Sequence, residues 1–305
     1  MSRVSIIGAG NVGATLAMRV LEAGLGDVVL LDIAEGICRG KAIDMTDAAV
    51  VIGHNGNITG TKNYKDIEGS DIVVITAGFP RTPGMSREEL FLKNSSIVKE
   101  AVNNVKKLCP NSIIIIVTNP LDAMVYLAYK ESGFARGKVF GMAGVLDTAR
   151  FTALISQEAR VKRTDIEAYV IGSHGDTMVP LVSQTKIKGR PIEEVLSKEK
   201  IEDIKARTKV RGAEIVSLLK SGSAYYAPSA SAFAMVKAIL RDEKKMLCVS
   251  CLLEGEYGLK DICIGVPVIL GRKGIDKFIE MPLSDAERRE FNRSVEAIRG
   301  MIGKV

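Results

Sequence analysis

The chain has 305 residues, 47% of them hydrophobic and 26% charged, with a net charge of +6. This is an ordinary globular composition, long enough for a large core in two domains or lobes. The basic residues are scattered among acids, tryptophan is absent and aromatics make up 5%, so the excess charge reads as solubility and attraction for small anions and excludes a nucleic-acid face.

The first apolar run, residues 4–7, is too short for a signal peptide, and the apolar run at residues 113–117 is a buried strand, not a membrane helix. A cytoplasmic protein with no membrane partner is expected. Residues 3–7 read as a strand that runs into Gly8-Ala9-Gly10-Asn11-Val12-Gly13. A helical pattern follows through Ala23, then a second strand at 28–31 ending on Asp32. G-x-G-x-x-G alone is weak evidence. With a strand before it, a helix after it and a carboxylate about twenty residues on, it becomes a dinucleotide fingerprint. Gly8 permits the tight turn, Gly10 lets a pyrophosphate approach the helix N-terminus, and Gly13 allows close helix–strand packing. Asp32 suits the two ribose hydroxyls of an adenosine and repels a 2′-phosphate, so NAD is favoured over NADP. Arg39 and Lys41 leave some NADP tolerance open.

Residues 36–49 read as a helix, His54 as part of a surface loop, and residues 58–61 as a short strand. The strand at 72–75 closes on Thr76-Ala77-Gly78, small residues that let a flat ring lie close to the backbone. Two prolines and a glycine mark residues 79–90 as a loop carrying Arg81 and Arg87. It is either a connection with solvated charges or a mobile lid that brings cations over an anionic substrate. Ser86-x-x-Glu89 is a capping box that opens a helix to about residue 108. The strongest buried strand, 112–117, ends in Thr118-Asn119-Pro120. Asn119 thereby sits at a strand's carboxyl edge, where open parallel sheets bind ligands, and Pro120 suits the first turn of a helix through Ser132.

After a last short strand at 139–140, a helix opens at Gly144. Asp147 and Arg150 share one of its faces. They are either a plain ion pair, or a carboxylate facing a histidine beside a guanidinium facing a substrate. Residues 168–171 read as a strand leading into Gly172-Ser173-His174-Gly175. His174 is one of only two histidines, and its imidazole suits proton transfer near neutral pH. A hairpin at 185–190, a charged helix at 198–219, a junction at 221–228, a helix at 229–240, antiparallel strands at 246–253 and 262–270, and a C-terminal helix capped by Ser284 and Glu287 complete the chain. Cys248-x-x-Cys251 lies in an apolar run without a second ligand pair. Buried thiols are expected for it, and no metal site.

The strings G-A-G-N-V-G, D-I-A-E-G, T-A-G-F-P-R-T-P-G-M-S-R, V-T-N-P, D-T-A-R and I-G-S-H-G-D-T resemble the lactate/malate dehydrogenase family over essentially the whole chain. R-T-P-G-M-S-R and S-G-S-A-Y-Y-A-P look most like the malate enzymes built on the lactate enzyme plan. The resemblance implies an α/β fold. An N-terminal Rossmann domain with a doubly wound parallel sheet, residues 1–143, precedes a C-terminal α+β catalytic domain, residues 144–305.

It further implies reversible hydride transfer between (S)-malate and NAD, with L-lactate as the alternative substrate, and a place in the tricarboxylic acid cycle. His174 would exchange the proton and Asp147 would orient its ring. Arg81, Arg87, Asn119 and Arg150 would bind a dicarboxylic 2-oxo or 2-hydroxy acid. Gly8, Gly10, Asn11, Val12, Gly13, Asp32, Thr76, Ala77, Gly78, Asn94, Val117 and Asn119 would hold the cofactor. Arg81 favours malate, because lactate enzymes carry a neutral side chain there; Ala224, where they usually carry Thr, leaves room for the larger substrate. A homotetramer, or a homodimer like half of it, is implied. NAD-dependent glycosidases and a non-catalytic NAD sensor are competing readings. The first needs metal ligands, and the second has no use for the histidine and arginines.

Overall fold

The computed structural model describes residues 2–79 and 87–303. Arg81 and Ser86 lie outside the described residues, and so does the side chain of Arg87. The first half alternates strand and helix: β1 (Arg3–Ile7), α1 (Asn11–Glu22), β2 (Asp27–Leu31), α2 (Glu35–Ile52), β3 (Ile58–Thr61), β4 (Ile72–Ile75), α3 (Arg87–Leu108), β5 (Ile113–Ile116), α4 (Leu121–Ser132) and β6 (Val139–Gly141). The six strands are parallel, in the order β3-β2-β1-β4-β5-β6. β5 shows why its sequence is continuously apolar. Ile113 and Ile115 enter the core shared with α1, and Ile114 and Ile116 enter the core under α3 and α4. A strand covered on both faces has no solvent side to mark with polar residues.

The second half begins with α5 (Gly144–Ala159), then the short strands β7 (Ile166–Glu167), β8 (Val170–Ile171), β9 (Val179–Pro180), β10 (Lys186–Ile187) and β11 (Arg190–Pro191). It ends with α6 (Lys198–Leu219), α7 (Tyr226–Leu240), β12 (Lys245–Glu254), β13 (Lys260–Gly271), β14 (Gly274–Phe278) and α8 (Asp285–Ile302). β12 pairs antiparallel with β6, and β13 and β14 follow outward, so the parallel sheet continues as a single sheet of nine strands. The Rossmann sheet is therefore mixed at one edge, with three strands supplied from beyond residue 143. α7 packs on α1 over the same face of the sheet.

Two local expectations change, and one strand is added. Of the run 168–171, only Val170 and Ile171 are strand, as β8. β7 joins β10 and β11 in a small sheet, whereas β8 pairs with β9. The break falls at Ala168 and Tyr169, where Leu181 N–H donates to the Tyr169 carbonyl at 2.9 Å. α7 starts at Tyr226, ahead of residue 229, with Pro228 in its first turn, where a missing N–H leaves no helical bond unmade. β14 adds a strand in a stretch to which the sequence assigned no element: G-I-D-K-F is short, and it becomes a strand by pairing with β13. Ser284 and Glu287 do form a capping box. Glu287 also accepts from the N–H and hydroxyl of Ser183, which fastens α8 to the loop after β9.

Candidate active site

The carboxyl ends of the parallel strands meet at one edge of the sheet. Gly8 has φ +112°, and a Cβ there would lie 2.6 Å from Ala77 N. A Cβ on Gly13 would collide with the Gly8 carbonyl. These two glycines exist for packing. At Gly10 a Cβ would meet nothing within 4 Å, and no side chain caps the N-terminus of α1. The first N–H groups of α1, from Asn11 and Val12, thus open on free space beside a residue with no side chain, a cradle suited to a phosphate group. The Asp32 carboxylate accepts from Ala9 N at 2.7 Å and Ala34 N at 3.0 Å, and Lys41 Nζ donates to the Ala9 carbonyl at 2.7 Å. Asp32 therefore holds the glycine loop as well as facing the position expected for a ribose.

The ends of β1, β4 and β5 are laced together. The Thr76 hydroxyl donates to the Gly8 carbonyl at 3.0 Å, and the Thr118 hydroxyl to the Ala77 carbonyl at 2.7 Å. Asn94, on α3, is fully buried. Its carboxamide accepts from Phe79 N at 2.8 Å and donates to the Phe79 and Asn119 carbonyls. Asn94 acts here through the backbone, tying the chain after Gly78 to the Asn119 corner. Val117 is half-buried and the Asn119 side chain is exposed at the same edge. The glycine loop, Asp32, Thr76–Gly78, Val117 and Asn119 line one edge in a form that fits a dinucleotide.

His174 sits on the turn after β8. Gly172, at φ +86°, pairs its N–H and C=O with Gly265 of β13, and Ser173 N donates to Ser294 Oγ of α8 at 2.6 Å. The imidazole Nδ1 lies 2.8 Å from Asp147 Oδ2. Asp147 is 2% exposed and His174 14%, so the pair is desolvated on the Asp147 side and open on the other. Burial disfavours the imidazolium, but the Asp147 charge and hydrogen bond outweigh it, and the pKa of His174 is raised above its ordinary 6.5. Arg150 lies one helical turn from Asp147, its Nη1 3.6 Å from Oδ1. Burial lowers the guanidinium pKa against the pull of Asp147, and nearby Arg211 lowers it further. Arg150 Nε and Asp147 Oδ1 make no hydrogen bond among the described residues. A Cβ on Gly212 of α6 would sit 3.5 Å from Arg150 Nη2, which is how α6 passes over the guanidinium.

His174, Asp147 and Arg150 are thus brought together, and the turn is held against the first turn of α4, three residues past Asn119. That contact is made by Asp122, which the sequence reading missed. Asp122 is 3% exposed. It accepts the His174 main-chain N–H at 2.9 Å and the Ser250 hydroxyl of β12 at 2.7 Å. Its only signal was its place in Asn119-Pro120-Leu121-Asp122, where an acid in a helix's first turn has an ordinary explanation. Among the described residues no group of three or more His, Cys, Asp or Glu side chains is arranged to hold a metal ion. Cys248 and Cys251 are buried in β12, and burial pushes the Cys248 thiol up to about 12.

Residues 2–141 match the family model described as lactate/malate dehydrogenase, NAD binding domain, and residues 144–305 match that of the lactate/malate dehydrogenase alpha/beta C-terminal domain. A protein named malate dehydrogenase from Roseiflexus sp. (strain RS-1) is 51% identical over 300 residues, spanning 98% of this chain and 97% of its own. The crystal structure of Cryptosporidium parvum malate dehydrogenase superposes with a TM-score of 0.97 at 44% identity, over 99% of this chain and 98% of that one. The lactate dehydrogenase of the same organism, complexed with lactic acid and nicotinamide adenine dinucleotide, gives 0.96 at 40% identity, over 99% and 97%. The fold alone does not separate the two substrates.

Proposed function

The chain belongs to the lactate/malate dehydrogenase family, and from that membership we propose that it interconverts (S)-malate and oxaloacetate, using NAD, as a step of the tricarboxylic acid cycle. It is an NAD-dependent oxidoreductase acting on a hydroxy or oxo acid. The observation that carries the reading is the 2.8 Å contact of His174 Nδ1 with Asp147 Oδ2, with Arg150 one turn along the same helix. Bound NADH would supply the hydride for reduction, and NAD would accept it in the reverse direction.

Asp147 takes the Nδ1 proton of His174 as a hydrogen bond, which leaves Nε2 to face the substrate. In reduction Nε2–H gives its proton to the carbonyl oxygen; in oxidation Nε2 removes it from the hydroxyl. Asp147 stabilises the imidazolium in both directions. Arg150 grips the carboxylate beside the reacting carbon through two parallel hydrogen bonds. Arg87 polarises the carbonyl as charge develops on its oxygen, and Asn119 hydrogen-bonds the same region. Arg81 pairs the second carboxylate and selects malate over lactate. Gly8, Gly10, Asn11, Val12 and Gly13 hold the pyrophosphate, Asp32 the adenosine ribose, and Thr76, Ala77, Gly78 and Val117 the nicotinamide side, with Asn94 supporting them from below.

We assign residues 1–143 to cofactor binding and residues 144–305 to substrate binding. A homotetramer, or a homodimer, is supported by the outer face of α2, where Ile37, Ile43, Val50 and Val51 are all exposed. A cytoplasmic location is supported by five buried, unpaired cysteines; among the described residues no helix is long and apolar enough to cross a membrane. Steady-state rates of NADH and NADPH oxidation with oxaloacetate and with pyruvate test the reading. The expected result is NADH oxidation with oxaloacetate well above the other three pairings, and equal rates with pyruvate would remove the substrate assignment.

A further inference from the structure

Asp122 is a buried carboxylate that no step above uses. It belongs to α4, in the first half of the chain, yet both groups that bond its side chain come from the second half: the His174 N–H at 2.9 Å and the Ser250 hydroxyl at 2.7 Å. Those two bonds occupy both carboxylate oxygens, and among the described residues no Lys or Arg pairs with it. A buried acid held by two hydrogen bonds and no cation is costly to keep ionised. A helix packing against a strand does not need one there.

We propose that Asp122 is a positioning residue for proton transfer: held by Ser250, its carboxylate docks the His174 turn onto α4 and sets a second negative charge behind the imidazole. The proposal rests on His174 being the proton-transfer group. Docking through the main chain fixes where the ring stands relative to the strand ends of the first half, while Asp147 fixes how the ring is turned. The two carboxylates thus hold one residue from two elements and through two different groups.

Burial pushes the Asp122 carboxyl up to about 6, while the Ser250 hydroxyl and the His174 N–H pull it back, so it is charged at neutral pH. The groups facing it are His174 on its turn, Asp147 on α5, Cys251 on β12 and Cys263 on β13. Of these only His174 becomes a cation. His174 in turn faces Asp147, Arg150 and Asp122, and the Asp122 charge raises its pKa. Charge on one favours charge on the other, and the observed proton equilibria belong to the set rather than to one residue.

The test is oxaloacetate reduction by NADH from pH 5.5 to 9.5, alongside NADH binding by fluorescence titration and thermal unfolding, for wild type, Asp122→Asn, Asp122→Ala, Ser250→Ala and His174→Asn. Reduction needs protonated His174, so loss of the Asp122 charge must move the alkaline limb of kcat/KM to lower pH. The isosteric Asp122→Asn should show that shift with kcat down roughly tenfold, and Asp122→Ala, which releases the turn, a loss of about a hundredfold. NADH affinity should stay within about twofold in both. Ser250→Ala should lower kcat less than either. An Asp122→Asn enzyme with wild-type kcat and an unmoved limb would overturn the proposal. So would losses that track only the folded fraction, with an unshifted profile. If His174→Asn remains active, the proton-transfer reading fails and takes this proposal with it; if His174→Asn is dead while Asp122→Asn is unaltered, this proposal alone fails.

Discussion

Arg150 stands 3.6 Å from Asp147 without a hydrogen bond between them. An i,i+3 ion pair on a solvent-facing helix closes to bonding distance or drifts apart in water. Here Asp147 is buried and Arg150 is only 13% exposed, and Asp147 gives its other oxygen to His174. The guanidinium is close enough to be held by the charge, with its hydrogen-bonding edge still available to an anion. A lysine carries the charge but not the planar fork. Arg150→Lys should therefore lower kcat/KM for oxaloacetate by about 10²–10³-fold, or roughly 3–4 kcal/mol, and leave NADH affinity unchanged. A fluorescence titration beside the steady-state rates checks this, and a variant with near-normal KM would show that the carboxylate is gripped elsewhere.

The contact between Asp147 and His174 predicts a second result. Asp147→Asn keeps the shape and removes the charge that, against burial, raises the His174 pKa. The amide can also present its NH2 to Nδ1, which reverses the tautomer. kcat for reduction should fall by about 10²–10⁴-fold. The alkaline limb of its pH profile should move to lower pH, because imidazolium is lost sooner. A profile with the wild-type limb at reduced height would mean that Asp147 shapes the site without tuning the base.

Asp122 also leaves a mark on stability. Its carboxyl rises from 3.8 in the open chain to about 6 when folded. Between those values the folded protein binds the extra proton. The stability from this group is thus greatest below 3.8 and is lost as pH rises to about 6, by about 3 kcal/mol in all. Glu287, Glu290 and Asp261 have lowered pKa values and slope the other way, but they are shared by wild type and Asp122→Asn. The difference in unfolding midpoint between the two should therefore move in favour of Asp122→Asn from pH 4 to pH 7. A difference that stays flat across that range would contradict it.

Local pattern made much of this molecule legible. The glycine loop could be read because strand, turn, helix and Asp32 all lie within the first 32 residues. β5 announced itself by four consecutive isoleucines, and α8 by its capping box. What could not be read depends on partners distant along the chain. Asp122 meets His174 across 52 residues and Ser250 across 128, and nothing near Asp122 marks it as buried. The run 168–171 has the composition of one strand, yet only Val170 and Ile171 find a partner, in β9, while the residues just before the run pair with β10. The continuous nine-stranded sheet needs β12 to find β6, a pairing no local periodicity encodes.

The proposed substrate choice rests on Arg81, which lies outside the described residues, so its prediction follows from chemistry. Oxaloacetate carries a carboxylate beyond the one assigned to Arg150, and a guanidinium brought over it gains a partner. Pyruvate offers a methyl group there. Closing the site on pyruvate would bury the Arg81 charge unpaired, at about 3–5 kcal/mol, or roughly a hundred- to a few-thousand-fold in relative rate. Arg81→Gln removes both the reward for oxaloacetate and the penalty on pyruvate. Its ratio of kcat/KM for oxaloacetate over pyruvate should fall by at least a factor in that range, through gain on pyruvate together with loss of oxaloacetate turnover. The two substrates assayed side by side at fixed NADH measure the ratio. Were it unchanged in Arg81→Gln, discrimination would have to reside in the walls of the pocket, with Ala224 the first position to enlarge or fill.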